Sequence, residues 1–150
     1  MPEYLWPQIC VIKGEIEIIL EETTDYPAKA FVIKVPDFEK VKEKEPLFNQ
    51  ISKISGQIIS VLMKDQIPHN VVVVDGGIST FIFPRKYEIF KKEVNISPAW
   101  IEIVGIAVCR QKEAFSELTT EQFEEILYDE ICVSEEFFGK IKESILSILK

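Results

Sequence analysis

Histidine is nearly missing from this chain: among 150 residues there is one, His69. Cysteine is also sparse, with Cys10, Cys109 and Cys132 far apart and odd in number. No CxxC pair and no Cys/His cluster occurs, so a zinc site or a disulfide framework is excluded as an expectation. Each cysteine sits among apolar neighbours, as small buried hydrophobes in a reducing compartment do. Basic residues are outnumbered, with 17 Lys and Arg against 25 Asp and Glu and a net charge of −8. Nucleic-acid binding needs Lys and Arg to neutralise phosphates, and that footprint is lacking. The same sign argues against docking on an anionic membrane. No apolar run approaches bilayer-spanning length, and the start MPEYLWPQ has no basic stretch leading into an apolar one, so neither a spanning helix nor a signal peptide is expected. A cytoplasmic protein fits these absences. Asn95-Ile96-Ser97 matches a glycosylation sequon but is followed by Pro98 and is read as chance.

What is present is apolar substance. Hydrophobic residues make up 47% of the chain, and at this length roughly two thirds of the unfolded surface can be buried. No repeat, low-complexity tract or Gly/Ser linker divides the sequence, so residues 1–150 are read as a single domain.

Alternation and turn residues predict the elements. Ile9–Ile12 and Glu15–Leu20 read as strand broken at Gly14, and Lys29–Val35 as a second strand stopped by Pro36. A long helix follows, with Phe38 and Val41 near its start and Pro46 in its first turn. Leu47, Ile51, Ile54, Ile58 and Leu62 recur at helical spacing and share one face. Gly56 within that run costs about 1 kcal/mol relative to alanine. The β-branched run Asn70–Val74, the turn Asp75-Gly76-Gly77 and the return run Ile78–Phe83 form a hairpin. Trp100–Cys109 is a further strand. Two helices end the chain. Thr119 or Thr120 caps the first, with Phe123, Ile126 and Leu127 inward; Ser134 caps the second, with Phe138, Ile141, Ile145 and Ile148 at helical spacing. Hairpins with helices held to one face define an α+β fold on an antiparallel sheet.

Chemistry is thin. A lone imidazole cannot act as nucleophile and also position a phosphate and a leaving group, so His69 reads as the first residue of a strand, and no catalytic residue is assigned. Asp75-Gly76-Gly77 runs into a strand rather than a helix, so it is a turn and not a phosphate cradle. Pro84-Arg85-Lys86 ends an apolar strand; an arginine there can fork onto phosphate oxygens, although a solvated cationic strand end has the same composition. Glu102 inside Trp100–Val104 either faces solvent or, if buried, needs Arg85 or Lys86 as partner. Glu121–Glu125 is a helix surface. Residue patterns alone imply an α+β domain and no cofactor or metal.

The order of fragments adds a resemblance. Asp25-Tyr26-Pro27-Ala28-Lys29-Ala30-Phe31-Val32, Ile67-Pro68-His69-Asn70 with its hairpin ending in Pro84-Arg85-Lys86, Ser97-Pro98-Ala99 with Glu102, Ile103 and Gly105, and Ser134-Glu135-Glu136-Phe137-Phe138 stand in an order similar to the C-terminal half of GDP-L-galactose and GDP-D-glucose phosphorylases. These belong to the histidine-triad superfamily. The resemblance implies a histidine-triad-like C-terminal domain. It also implies a nucleotidyltransferase reaction in which GDP-hexose and phosphate give GDP and hexose 1-phosphate through a guanylylated histidine. Asn70, Arg85 and Lys86 are then candidate substrate-binding residues, with GDP or GDP-hexose as ligand. Two departures bear on activity. The HxHxQ-type motif that carries the nucleophile, upstream of the matched fragments in that family, is missing here, and Ile106 stands after Gly105 where a histidine is expected. The expectation is therefore a degenerate or split phosphorylase-like domain that is not catalytic by itself. The alternative is a non-catalytic structural or interaction subunit. A homodimer, a partner bearing the histidine motif, or another protein partner is expected to cover a surface edged by Tyr4–Pro7 and Phe31–Ile33.

Overall fold

A computed structural model describes residues 18–23, 28–74, 79–86 and 112–149. The predicted strands at Ile9–Ile12 and Trp100–Cys109, the hairpin turn at Asp75–Gly77, and Glu102 lie outside these residues.

The described strands are β1 (Ile19–Glu22), β2 (Phe31–Lys34), β3 (His69–Val74) and β4 (Ser79–Pro84). They form one antiparallel sheet in the order β1-β2-β4-β3. The predicted hairpin is present, with Asn70 opposite Phe83 and Val74 opposite Ser79. The helices are α1 (Lys44–Lys64), α2 (Lys112–Glu117), α3 (Thr120–Ile126) and α4 (Glu135–Leu149). The fold is α+β, as the pattern of elements predicts.

All five residues of the predicted α1 stripe are buried, joined by Val61. The helix begins later than Phe38, which instead lies in a separate 3-10 turn over Phe38–Lys40. Glu43 adopts extended backbone just before the helix and places Pro46 in the first turn, where a missing N–H costs nothing. At the other end Gln66 takes φ 53°, its amide donates to the Met63 carbonyl, and the Ile67 amide donates to Leu62 O at 2.8 Å. These paired bonds satisfy carbonyls that the helix end leaves over, and they turn the chain directly into β3.

Alternation along the strands divides the core. Phe31, Ile33 and Ile82 face α1 and α4, and Phe31 stacks on Phe138 with ring centroids 4.5 Å apart. Fully burying each such side chain contributes about 1.5–3 kcal/mol. Val32, Ala30 and Phe83 point to the opposite face, where Leu127, Ile131 and Cys132 cover them. The two long helices share one face, but not all helices do as the pattern predicts: Phe123 of α3 and the segment after it pack on the other face as a second, smaller layer.

Two further expectations change. Phe31–Ile33 is not the edge of an exposed surface: these residues are 2% exposed or less, because β2 is an inner strand paired on both sides. Ile148 is half exposed; the stripe on α4 runs Phe138, Ile141, Ile145 and then Leu149, which packs on the core in its place.

Candidate functional site

The candidate site forms where the β3–β4 hairpin meets the segment after α3. Sequence-distant residues 68–70, 84–86 and 129–132 converge there because β4 has partners on both sides of its end. Toward β3, the Arg85 amide donates to Pro68 O at 2.7 Å. Away from it, Arg85 pairs antiparallel with Cys132, and the Lys86 amide donates to Ile131 O at 3.0 Å. Pro84, lacking an N–H, closes β4 opposite His69.

The far wall is a π-helical turn over Leu127–Ile131, in which the Cys132 amide reaches back to Leu127 O at 2.8 Å. A single π-turn at the end of an α-helix widens the backbone and re-aims its carbonyls, and such turns occur disproportionately at functional sites. Here the re-aimed Asp129 carbonyl accepts from Lys86 Nζ at 3.1 Å. Nothing in the residue pattern after the Thr119 cap signals this turn: Phe123 and Leu127 fit an ordinary helical stripe. Thr119 does cap α3, with its hydroxyl accepting from the Gln122 amide and the Gln122 side chain accepting from the Thr119 amide.

Two of the three candidate substrate-binding residues meet, Asn70 and Arg85, while the Lys86 ammonium is turned onto the Asp129 carbonyl. Arg85 Nη1 donates to Asn70 Oδ1 at 3.3 Å, and Lys86 is the next residue along the chain. Arg85 is half-buried and Lys86 exposed, so the solvated cationic end that composition allows describes Lys86 alone. Arg85 instead lies on the face carrying Phe81 and Phe83. His69 is the first residue of β3, and its Nδ1 lies 3.0 Å from Ile67 O. A carbonyl only accepts, so Nδ1 bears the proton in this contact. Cys132 is buried beneath the site, and burial pushes its thiol up to about 11, which keeps it un-ionised and unreactive at neutral pH. Among the described residues no group of three or more His, Cys, Asp or Glu side chains is placed to hold a metal.

The arrangement is an antiparallel α+β fold in which β4 leads into an arginine tied to Asn70 and a lysine turned onto the Asp129 carbonyl. The chain belongs to the GDPGP1-like C-terminal domain family, whose model matches residues 4–150. This agrees with the likeness to the C-terminal part of GDP-hexose phosphorylases drawn from the sequence fragments. No curated protein and no solved structure matches the chain. Among the described residues no helix is long and apolar enough to cross a membrane.

Proposed function

We propose that this GDP-hexose phosphorylase-like domain recognises the phosphates of a guanine nucleotide or GDP-hexose and does not carry the nucleophile itself. The observation that supports this is the Arg85 guanidinium tied to Asn70 with Lys86 adjacent, a cationic pair at a strand end in an otherwise acidic chain. A planar guanidinium matches two phosphate oxygens at once. Transfer of GMP through a histidine needs one imidazole to attack the α-phosphorus and further groups to hold the departing hexose 1-phosphate. His69 is the single histidine of these 150 residues, and its Nδ1 is turned onto the Ile67 carbonyl. A histidine-triad nucleophile is then supplied by a partner or by another stretch of polypeptide.

Isothermal titration with GDP and GDP-glucose, alongside an assay for GDP release in phosphate buffer, tests the reading. Binding without turnover is expected. GDP release that disappears in His69→Ala would overturn the non-catalytic part, and absence of any GDP binding would overturn the nucleotide part.

A second reading, an interaction subunit, is favoured by β3. Val71 and Val73, on one face of the strand, are 44% and 58% exposed, and Val74 on the other face is 36% exposed, an uncharged β-branched run on one of the two edge strands of the described sheet. Such strips serve as contact surfaces for other chains.

A further inference from the structure

We infer that β3 is the seam of a homodimer: two copies of the chain pair antiparallel along it, Val72 facing Val72 across a two-fold axis, and join their sheets. The inference rests on the interaction reading above, which it deepens by naming the partner, and it is independent of nucleotide recognition.

The phase of the β3–β4 ladder sets which backbone groups look outward. The Arg85 amide donates to Pro68 O at 2.7 Å, and antiparallel bonds recur at every second pair. Asn70, Val72 and Val74, opposite Phe83, Phe81 and Ser79, therefore turn N–H and C=O toward β4. His69, Val71 and Val73 turn theirs away from it. Pro84 agrees with that phase, since it stands opposite His69, where the ladder needs no N–H. Among the described strands, none but β4 pairs with β3. An edge of this kind is completed by adding a strand.

Charge decides what the edge accepts. The other edge of the described sheet, β1, carries Glu21 and Glu22, paired with Lys34 and Lys142, so two copies meeting there would bring acids together. His69–Val74 contains no Asp, Glu, Lys, Arg or Pro. A basic partner finds no acid on it, and a chain of net charge −8 meets no repulsion along it. A second copy offers the same uncharged strand in the opposite direction. Two-fold symmetry in an antiparallel ladder sets one residue opposite itself. Centring on Val72 puts Val71 opposite Val73 of the second copy, so the outward N–H and C=O groups of both valines bond in pairs. Their side chains, exposed on the sheet face that carries Ile82, then cover one another. Centring on Val71 would instead set His69 against Val73.

Two measurements on the whole chain test the seam. In wild type, hydrogen exchange at the Val71 and Val73 amides should slow severalfold from low to high micromolar concentration. The Val72 amide, already bonded to β4, should not change. The second measurement oxidises Val72→Cys mildly in a chain with Cys10 and Cys109 changed to serine. Residues directly opposite on a ladder lie within disulfide reach. Linked dimer should therefore form about tenfold or more faster than from Ile148→Cys, a half-exposed position on α4. If Val72→Cys does not fold, as its thermal midpoint would show, exchange in wild type decides alone. Slowed exchange at both valines, with preferential linking at Val72, is the result expected. A dimer in sedimentation whose Val71 and Val73 amides are unchanged, or in which Val72→Cys links no faster than Ile148→Cys, overturns the seam and leaves the interaction reading standing. A monomer that brings a different protein through purification does the same. A monomer without any partner overturns both.

Discussion

Cys132 does three things with one residue. Its amide closes the π-turn on Leu127, its backbone pairs with Arg85, and its side chain fills the smaller core layer against Phe83 and Val32. The last of these has a pH signature. Burial disfavours the thiolate, so the thiol titrates near 11 in the fold against 9.0 for the unperturbed group. The folded state holds the proton more tightly than the unfolded one. The stabilisation is therefore fully present below about pH 9 and is lost as pH rises toward about 11, on the order of 2 kcal/mol in all. Denaturant unfolding of wild type and Cys132→Ala at about pH 8 and about pH 10.5 measures it. The stability gap between them should narrow at the higher pH, and a constant gap would show that Cys132 is not sealed from solvent. A thiol reagent applied to a chain with Cys10 and Cys109 changed to serine should label Cys132 only at the rate of local opening.

At the scale of elements, the end of α1 holds a specific tension. Gln66 sits at φ 53°, a left-handed conformation that costs a side-chain-bearing residue about 1–2 kcal/mol. The two bonds to Met63 and Leu62 hold it there, and buried Ile67 seals the turn against the core. Gln66→Gly should relieve part of that cost and raise stability by about 0.5–1 kcal/mol, seen as a higher thermal midpoint; a lower midpoint would mean that the Gln66 side chain contributes more than its backbone costs. Gly56→Ala points the same way by a different route. Gly56 is exposed in mid-helix, and a methyl group in place of its hydrogen would meet nothing within 4 Å. Alanine therefore adds helix propensity without a clash, about 1 kcal/mol. The two positions differ in how visible they are. Gly56 stands out in the sequence, as does the stripe from Leu47 to Leu62, because helical periodicity is written in the residues themselves. Gln66 does not, since glycine is the usual marker of such a turn. The π-turn after α3 hides for a similar reason: a single inserted residue shifts carbonyls without disturbing the apolar spacing around Leu127. Lateral strand order is not periodic at all, which is why the apolar run Phe31–Ile33 reads as a surface for a partner and lies inside. Of the candidate site, Arg85 and Lys86 are legible as a strand end and Asn70 as a hairpin residue. Their convergence with Asp129 and Cys132 is not, because it depends on a contact between segments more than 40 positions apart.

For the whole molecule, the balance between charge and the β3 strip decides how copies meet. A net charge of −8 keeps acidic surfaces apart. Residues His69–Val74 carry no carboxylate, and three of the valines are exposed. On the described strands this is the place where two chains approach without bringing acids together, and where a strand edge is not blunted by lysine. Association through it is apolar and opposed by long-range repulsion, so it should strengthen as salt screens the repulsion. An interface built on ion pairs would weaken instead. Sedimentation of the purified chain at high micromolar concentration, at low and at about 0.5 M salt, should show a species larger than a monomer that grows with salt. Val73→Lys, at the most exposed of these valines, places a charge on the strip and should return the chain to monomer. The thermal midpoint should change little, because that side chain contributes almost nothing to the core. A chain that sediments as a monomer at both salts and brings no partner through purification would rule out the strip as a contact surface. A dimer that survives Val73→Lys would move the contact elsewhere on the molecule.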